Sequence, residues 1–292
     1  MTDIVSRVQL ANAILQEAVH MTEDIYRRGF ETSLKQTERD RPTFLTEADK
    51  AVEALIVRRW LGCFTHDSII GEEDGAKGRV SGSHVSIVID PIDGTVAFSR
   101  GINTYALAIA ICVDNVPVAA VVHTQGQHFT AIAYRDIRVF SANEKAITRM
   151  LDPVSPQRWV VANEMLNLLA DGHLLTKKIW EVAGQHACFA SAISTGIMVA
   201  KGQLQAYVNP GVCLWDVAPL VPFAKIAGVR LTRWDGSDPF PAMYDCVLND
   251  MARYAKGPQC FDMLMAAPAV HDALLPLVLP YAREREKALY GD

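Results

Sequence analysis

Val85-Ser86-Ile87-Val88-Ile89-Asp90-Pro91-Ile92-Asp93-Gly94-Thr95 is the stretch from which the architecture follows. Its first five residues form an apolar, β-branched run, which predicts a buried strand. The run ends in two aspartates held by a stiff turn, because Pro91 fixes one backbone angle. Gly94 permits close backbone approach, and amides opening a helical turn at Thr95 face an anion. Carboxylates at a strand end beside anion-facing amides suit a hard divalent cation, magnesium above all. Taken alone, the same stretch also reads as a plain turn at Asp93-Gly94 with Asp90 as a strand-end cap.

Upstream of this strand, Ile4, Val8, Ala11, Leu15, Ala18 and Ile25 recur at helical spacing, and Gly29 closes that helix. Residues 31–43 are polar and charged and read as a mobile connection. A second helix starts at Thr46, with Val52, Leu55, Ile56 and Trp60 on one face. Downstream, Tyr105–Val113 and Val116–Val122 read as strands joined at Asp114-Asn115, and Phe129–Tyr134 extends the sheet. These short runs about a tight turn predict antiparallel pairing.

The rhythm then changes. Trp159–Ala162 predicts a strand, Glu164 to about Trp180 a helix, and Ser191 caps another helix that stops at Gly202. Gln203–Val208 predicts a strand, Trp215-Asp216 opens a helix over Val217–Ala227 that ends at Gly228, and Val229–Trp234 predicts a further strand. Ala282–Lys287 reads as a charged, solvated helix end. Alternating strands and helices favour a covered α/β sheet. Prolines near 150–156 mark a soft boundary between an N-terminal α+β half, 1–150, and a C-terminal α/β half, 151–292.

Composition narrows the function classes. The 292 residues are 50% hydrophobic and 21% charged, which fits a packed core and excludes a disordered chain. The formal net charge of −5 leaves no basic footprint for gripping nucleic acid directly. Six cysteines without a CxxC pair indicate neither a zinc site nor a disulfide framework, so a reducing cytoplasm is the expected location. No secretory pattern follows Met1, and the longest apolar run, Tyr105–Val113, is about half a membrane span. A soluble protein with no membrane partner is expected.

Three further acidic stretches each have an ordinary structural reading. Gly71-Glu72-Glu73-Asp74-Gly75 is either a solvated acidic turn or a cluster whose mutual repulsion a cation relieves. Asp216, at the head of an apolar helix, is either a helix-capping residue or a ligand. Thr46-Glu47-Ala48-Asp49 fits a capping box, Thr46 capping and Asp49 reaching back.

In this order and spacing, across about residues 40–235, the four stretches resemble the inositol monophosphatase family. That family belongs to the lithium-sensitive, magnesium-dependent phosphatases, with fructose-1,6-bisphosphatase among its cousins. The resemblance implies a layered αβαβα sandwich, homodimers, and two to three magnesium ions. It makes Glu72, Asp90, Asp93, Asp216 and the carbonyl of Ile92 metal ligands. Asp49 and Thr95 match the pair that orients and deprotonates the attacking water, and the amides of Gly94 and Thr95 match those that bind phosphate. Chemistry agrees: metal ions neutralise phosphoryl oxygens and activate water, and no cysteine or histidine motif suggests a covalent intermediate.

The match loosens at the substrate. Inositol-selective members carry a glutamate six residues before the WD tryptophan, and here that position is Asn209. Ala190-Ser191-Ala192 stands where the family has a Gly-Ser/Thr-Ala turn touching substrate, and Ala97 replaces the usual asparagine. A small phosphorylated polyol, inositol 1-phosphate first, or an amino-alcohol such as histidinol phosphate is the expected substrate. A regulatory, protein-binding role on the same scaffold is the alternative of a different class. Trp60, Trp159, Trp180 and Trp234 are expected to pack in the core or at an interface, and the histidines to serve packing or surface roles.

Overall fold

The computed structural model describes residues 3–35, 43–73, 75–77, 83–143, 145–146, 158–164, 166, 169, 171–244 and 261–290. Helix α1, Ile4–Arg28, buries the predicted apolar stripe, and Asp3 caps it by accepting from the Ser6 amide. The segment expected to be a mobile connection instead holds a hairpin. Strand β1, Thr32–Lys35, pairs antiparallel with β2, Thr43–Thr46, in the register Thr32↔Thr46. Its β-branched threonines favour extended backbone, a preference hidden in the sequence by the charged residues between the strands. Helix α2, Glu47–Cys63, begins with the predicted capping box, Thr46 and Asp49 binding reciprocally.

Strands β3, Ser68–Gly71, β4, Gly75–Lys77, and β5, Val85–Asp93, lead into the short helix α3, Thr95–Ser99. Four more strands follow as a meander: β6, Ala106–Val113, β7, Val116–Thr124, β8, Gln127–Tyr134, and β9, Ile137–Ala142. With β10, Lys145–Ala146, they form an eight-stranded sheet in the order β10-β9-β8-β7-β6-β5-β3-β4. The pairing is antiparallel as predicted, apart from the parallel pair β3–β5. Asp114 and Asn115 take φ of 49° and 65°, the geometry of a tight hairpin turn.

The second sheet is built from β11, Val160–Asn163, helix α4, Gly172–Val182, β12, Gln185–Ala187, helix α5, Ala192–Ala200, and β13, Ala206–Val212. The chain continues through helices α6, Leu214–Val217, and α7, Leu220–Ala227, to β14, Arg230–Thr232, β15, Phe261–Ala266, and helix α8, Pro268–Tyr290. The strand order is β12-β11-β13-β15-β14, with β11 parallel to both neighbours and β15 antiparallel to both of its own.

Several predicted bounds move. The helix expected from Glu164 starts only at Gly172, because Glu164 turns inward to accept backbone hydrogen bonds from residues 189 and 190. The helix expected over 217–227 is two pieces, since Pro219 and Pro222 lack the N–H donors that continuity needs. Trp60, Trp159 and Trp234 are buried as expected. Trp180 is not: it is 61% exposed, edge-on to His186 at 5.2 Å between ring centroids.

The layers follow from which face each side chain takes. Along β6, Leu107, Ile109 and Ile111 point into a core shared with α1 and α2, while Ala106, Ala108, Ala110 and Cys112 point into one shared with α5, α6 and α7. Small side chains on the second face let those helices pack between the two sheets. A third core, with Leu175, Ile179, Leu264, Leu274 and Val278, lies between the five-stranded sheet and α4 and α8. Each fully buried Ile or Leu contributes roughly 1.5–3 kcal/mol. The result is the αβαβα sandwich expected from the resemblance. Among the described residues no helix is long and apolar enough to cross a membrane.

Candidate active site

Parallel pairing of β3 with β5 carries the ends of both strands to one place. Gly71 pairs with Ile89, so Glu72 and Asp90 are the next residues on neighbouring strands, and the Glu72 amide donates to the Ile89 carbonyl at 3.3 Å. The β5–β6 register slips between Asp90 and Asp93, which pair with Ala108 and Ala106. Such a bulge re-aims side chains that a regular strand would point to opposite faces. Asp216 arrives from α6, where its Oδ2 accepts from the Cys213 amide at 2.6 Å. Carboxylate oxygens of Asp90, Asp93 and Asp216 lie within 4.8 Å of one another.

This cluster is buried and electrostatically unfavourable by itself. Asp90 is 1% exposed, and its Oδ1 has no hydrogen-bond partner. Burial holds its carboxyl well above the usual range, and the negative charges of Glu72, Asp93, Asp216 and Asp49 add to that effect. The charges of these four acids therefore all act on Asp90. Asp93 is raised to about 6, chiefly by burial. Hydrogen bonds from Ser191 Oγ at 2.5 Å and the Ile193 amide at 2.7 Å oppose the rise, and the charge of Glu164 reinforces it. An orphaned carboxylate oxygen among other acids, with oxygen as the only donor type, fits a divalent cation such as magnesium.

Asp49 stands beside the cluster with both oxygens engaged. Oδ2 accepts from the Thr46 amide at 2.7 Å and the Thr46 hydroxyl at 2.5 Å, and Oδ1 accepts from Thr95 Oγ1 at 3.2 Å. Thr95 Oγ1 also lies 3.1 Å from the Ile92 carbonyl, which places that carbonyl at the site. The capping box is thus real, made through Oδ2, while Oδ1 serves Thr95. Gly94 links the end of β5 to the start of α3 at φ 82° and ψ 43°. A Cβ there would sit 2.7 Å from the Ala190 carbonyl oxygen, so glycine is needed for the conformation and for the contact.

The remaining sequence-predicted positions divide. Ser191 and Ala192 meet the cluster: besides the Ser191 hydroxyl, the Ala192 amide donates to Asp93 at 3.3 Å. Ser191 also caps α5 by accepting from the Ser194 amide at 3.1 Å. Ala190 is exposed beside Gly94, with φ of 56°. Asn209 is only 3% exposed, and its amide donates to the Tyr207 hydroxyl at 2.6 Å and accepts from the Gly211 amide at 2.7 Å.

Two acids near the site escaped the sequence reading. Glu53 is 1% exposed and accepts from the Glu73 amide at 2.9 Å, and a Cβ on Gly71 would overlap its carboxylate. Its signal was present, because Glu53 follows Asp49 by one helical turn and shares its face. Glu164 is the other; it bonds residues distant in sequence and had no local signal.

The sequence model described as "Inositol monophosphatase family" matches residues 5–259. A Xylella fastidiosa protein named Nus factor SuhB is 26% identical over 263 residues, covering 87% of this chain and 88% of its own. A Mycobacterium tuberculosis histidinol-phosphatase is 31% identical over 204 residues, covering 66% of this chain and 75% of its own. Among solved structures, a Thermotoga maritima inositol monophosphatase superposes with a TM-score of 0.77 at 17% identity, over 96% of this chain and 99% of that one. With the acidic cluster and the layered fold in place, the chain belongs to the inositol monophosphatase family.

Proposed function

We propose that this protein hydrolyses a small phosphate monoester with the help of magnesium. The observation that carries this is the convergence of Asp90, Asp93 and Asp216, with a buried Asp90 oxygen that has no partner. Glu72, Asp90, Asp93, Asp216 and the Ile92 carbonyl are the groups that would hold two to three ions. Magnesium, when bound, neutralises phosphoryl oxygens and lowers the pKa of water.

The chain's own residues do the rest. Asp49 Oδ1 accepts the Thr95 hydroxyl proton, which leaves a lone pair of Thr95 Oγ1 to receive a proton from the attacking water. Asp49 is the final acceptor. The amides of Gly94 and Thr95 bind the phosphoryl oxygens at the start of α3. Ser191 and the Ile193 amide hold Asp93 in one rotamer, so it is oriented before substrate arrives. No covalent enzyme intermediate is required.

Inositol 1-phosphate is the first substrate candidate. Histidinol phosphate is the second, favoured by Asn209, whose amide is engaged inside the chain, and by the histidinol-phosphatase among the relatives. Phosphate release from inositol phosphates, histidinol phosphate, fructose bisphosphate and adenosine bisphosphate tests the reading. One monoester is expected to turn over with magnesium, stop in EDTA, and resume when magnesium is restored. Turnover that persists in chelator contradicts the proposal, as does silence toward every ester.

A further inference from the structure

Glu164 is a buried acid with no place in the metal cluster, yet its carboxylate is fully engaged. Oε1 accepts from the consecutive amides of Phe189 and Ala190 at 3.0 and 2.8 Å, and Oε2 accepts from the Tyr207 hydroxyl at 2.9 Å. The Tyr207 hydroxyl in turn accepts from Asn209 Nδ2 at 2.6 Å, and the Gly211 amide holds the other end of that side chain. Every donor in this chain points the same way, toward the one charge. The tyrosine proton is held so firmly that its pKa lies well above the ordinary value, burial being the first cause and the Glu164 charge the second.

What the carboxylate holds is the turn against the active site. Ala190 sits at φ 56°, where a side chain crowds its own backbone, and its carbonyl oxygen packs on Gly94. The next residue, Ser191, binds Asp93. Charge-assisted bonds to two consecutive amides fix a strained turn that glycine would adopt without help. Cys188 and Ala190 are exposed beside the cluster, and the turn that begins at Ala190 stands where the resemblance places the contact with the alcohol half of the substrate.

We propose that Glu164 is a positioning residue for the alcohol half of the substrate, acting through the 189–190 turn, with Tyr207 and Asn209 holding its carboxylate in place. The proposal rests on the phosphatase reading. It also gives Asn209 a role: a neutral donor there completes the bond network around the single buried charge.

The test is steady-state kinetics of Glu164→Gln and Tyr207→Phe on the ester that wild type hydrolyses fastest, with magnesium saturating. Glutamine keeps the size and one acceptor but cannot accept from the tyrosine on its amide side. Glu164→Gln is expected to raise KM about tenfold with kcat within about threefold of wild type, because uniform binding is lost and the reacting groups stay put. Tyr207→Phe is expected to shift KM in the same direction by about threefold. KM unchanged in both variants, or a loss confined to kcat, overturns the positioning role while wild-type turnover upholds the phosphatase reading. Wild type without magnesium-dependent turnover overturns both.

Discussion

Replacing Asp90 with asparagine is expected to abolish phosphate release and, in chelator, to raise the thermal stability of the protein. Asp90 is where the charges of Glu72, Asp93, Asp216 and Asp49 are felt together, and its Oδ1 is buried without a partner. Asparagine keeps the shape and removes one negative charge from any ion held there. A fall in kcat of about three orders of magnitude is expected, the scale seen when one preorganised electrostatic group is lost.

The stability effect has the opposite sign. Asp90 and Asp93 are both held above their ordinary value of 3.8, the second to about 6. Acids raised in this way favour the folded chain when protonated, so their contribution is complete below about pH 4 and is lost as pH rises through the folded values. For Asp93 alone, a rise of about two pH units corresponds to on the order of 3 kcal/mol. Metal-free wild type is therefore expected to lose stability from pH 4 to above pH 6, and Asp90→Asn to lose less. Melting curves in EDTA at pH 4.5 and 7.5, with kcat measured in magnesium, check both parts. Wild-type turnover by the variant removes the metal site assigned here, and identical pH dependence of the two melts removes the electrostatic account. Asp90→Asn also separates catalysis from any regulatory contact, since a partner surface elsewhere on the molecule is unaffected by it.

Gly94→Ala is expected to damage both stability and catalysis. The substitution places a side chain at φ 82°, a conformation costing roughly 1–2 kcal/mol for residues other than glycine. Its Cβ would also stand 2.7 Å from the Ala190 carbonyl oxygen and 3.0 Å from Ser191 Cβ, both parts of a turn tied to Asp93 and Glu164. Relief by movement adds roughly 1–3 kcal/mol. It also displaces the amides that meet the phosphate, and misplacement of about 1 Å costs about a hundredfold in rate. Gly126→Ala is the internal standard: it has φ of 70° and nothing within 4 Å of the added Cβ. Urea unfolding and kcat/KM of the two variants should differ sharply, with Gly126→Ala showing the backbone cost alone and normal turnover. Equal behaviour of the two would mean that the contact between the two turns does not position the site.

Local chemistry made much of this legible in the sequence. The β-branched run at 85–89, the Asp114-Asn115 turn, the Thr46 and Ser191 caps and the glycine after Ala227 act over a few residues, and each stands where predicted. The acids were visible as motifs, but alone each read equally well as a cap or a turn. Asp49 shows why: it closes a capping box and binds Thr95 with its other oxygen. What stayed hidden depends on contacts made at long range. Glu164 was assigned to a helix because its surroundings are helical in period, and only residues 189, 190 and 207 draw it inward. Strand β15, between β13 and β14, passed unread although its six residues are all buried. Trp180 obeyed no burial rule, since α4 turns that face to solvent.

Crystals grown with manganese as an anomalous scatterer in place of magnesium offer the most direct measurement. Anomalous density is expected among the oxygens of Asp90, Asp93 and Asp216, with Glu72 and the Ile92 carbonyl close enough to share in the coordination. Density found only elsewhere, with these three carboxylates bound to no ion at saturating manganese, would contradict the account.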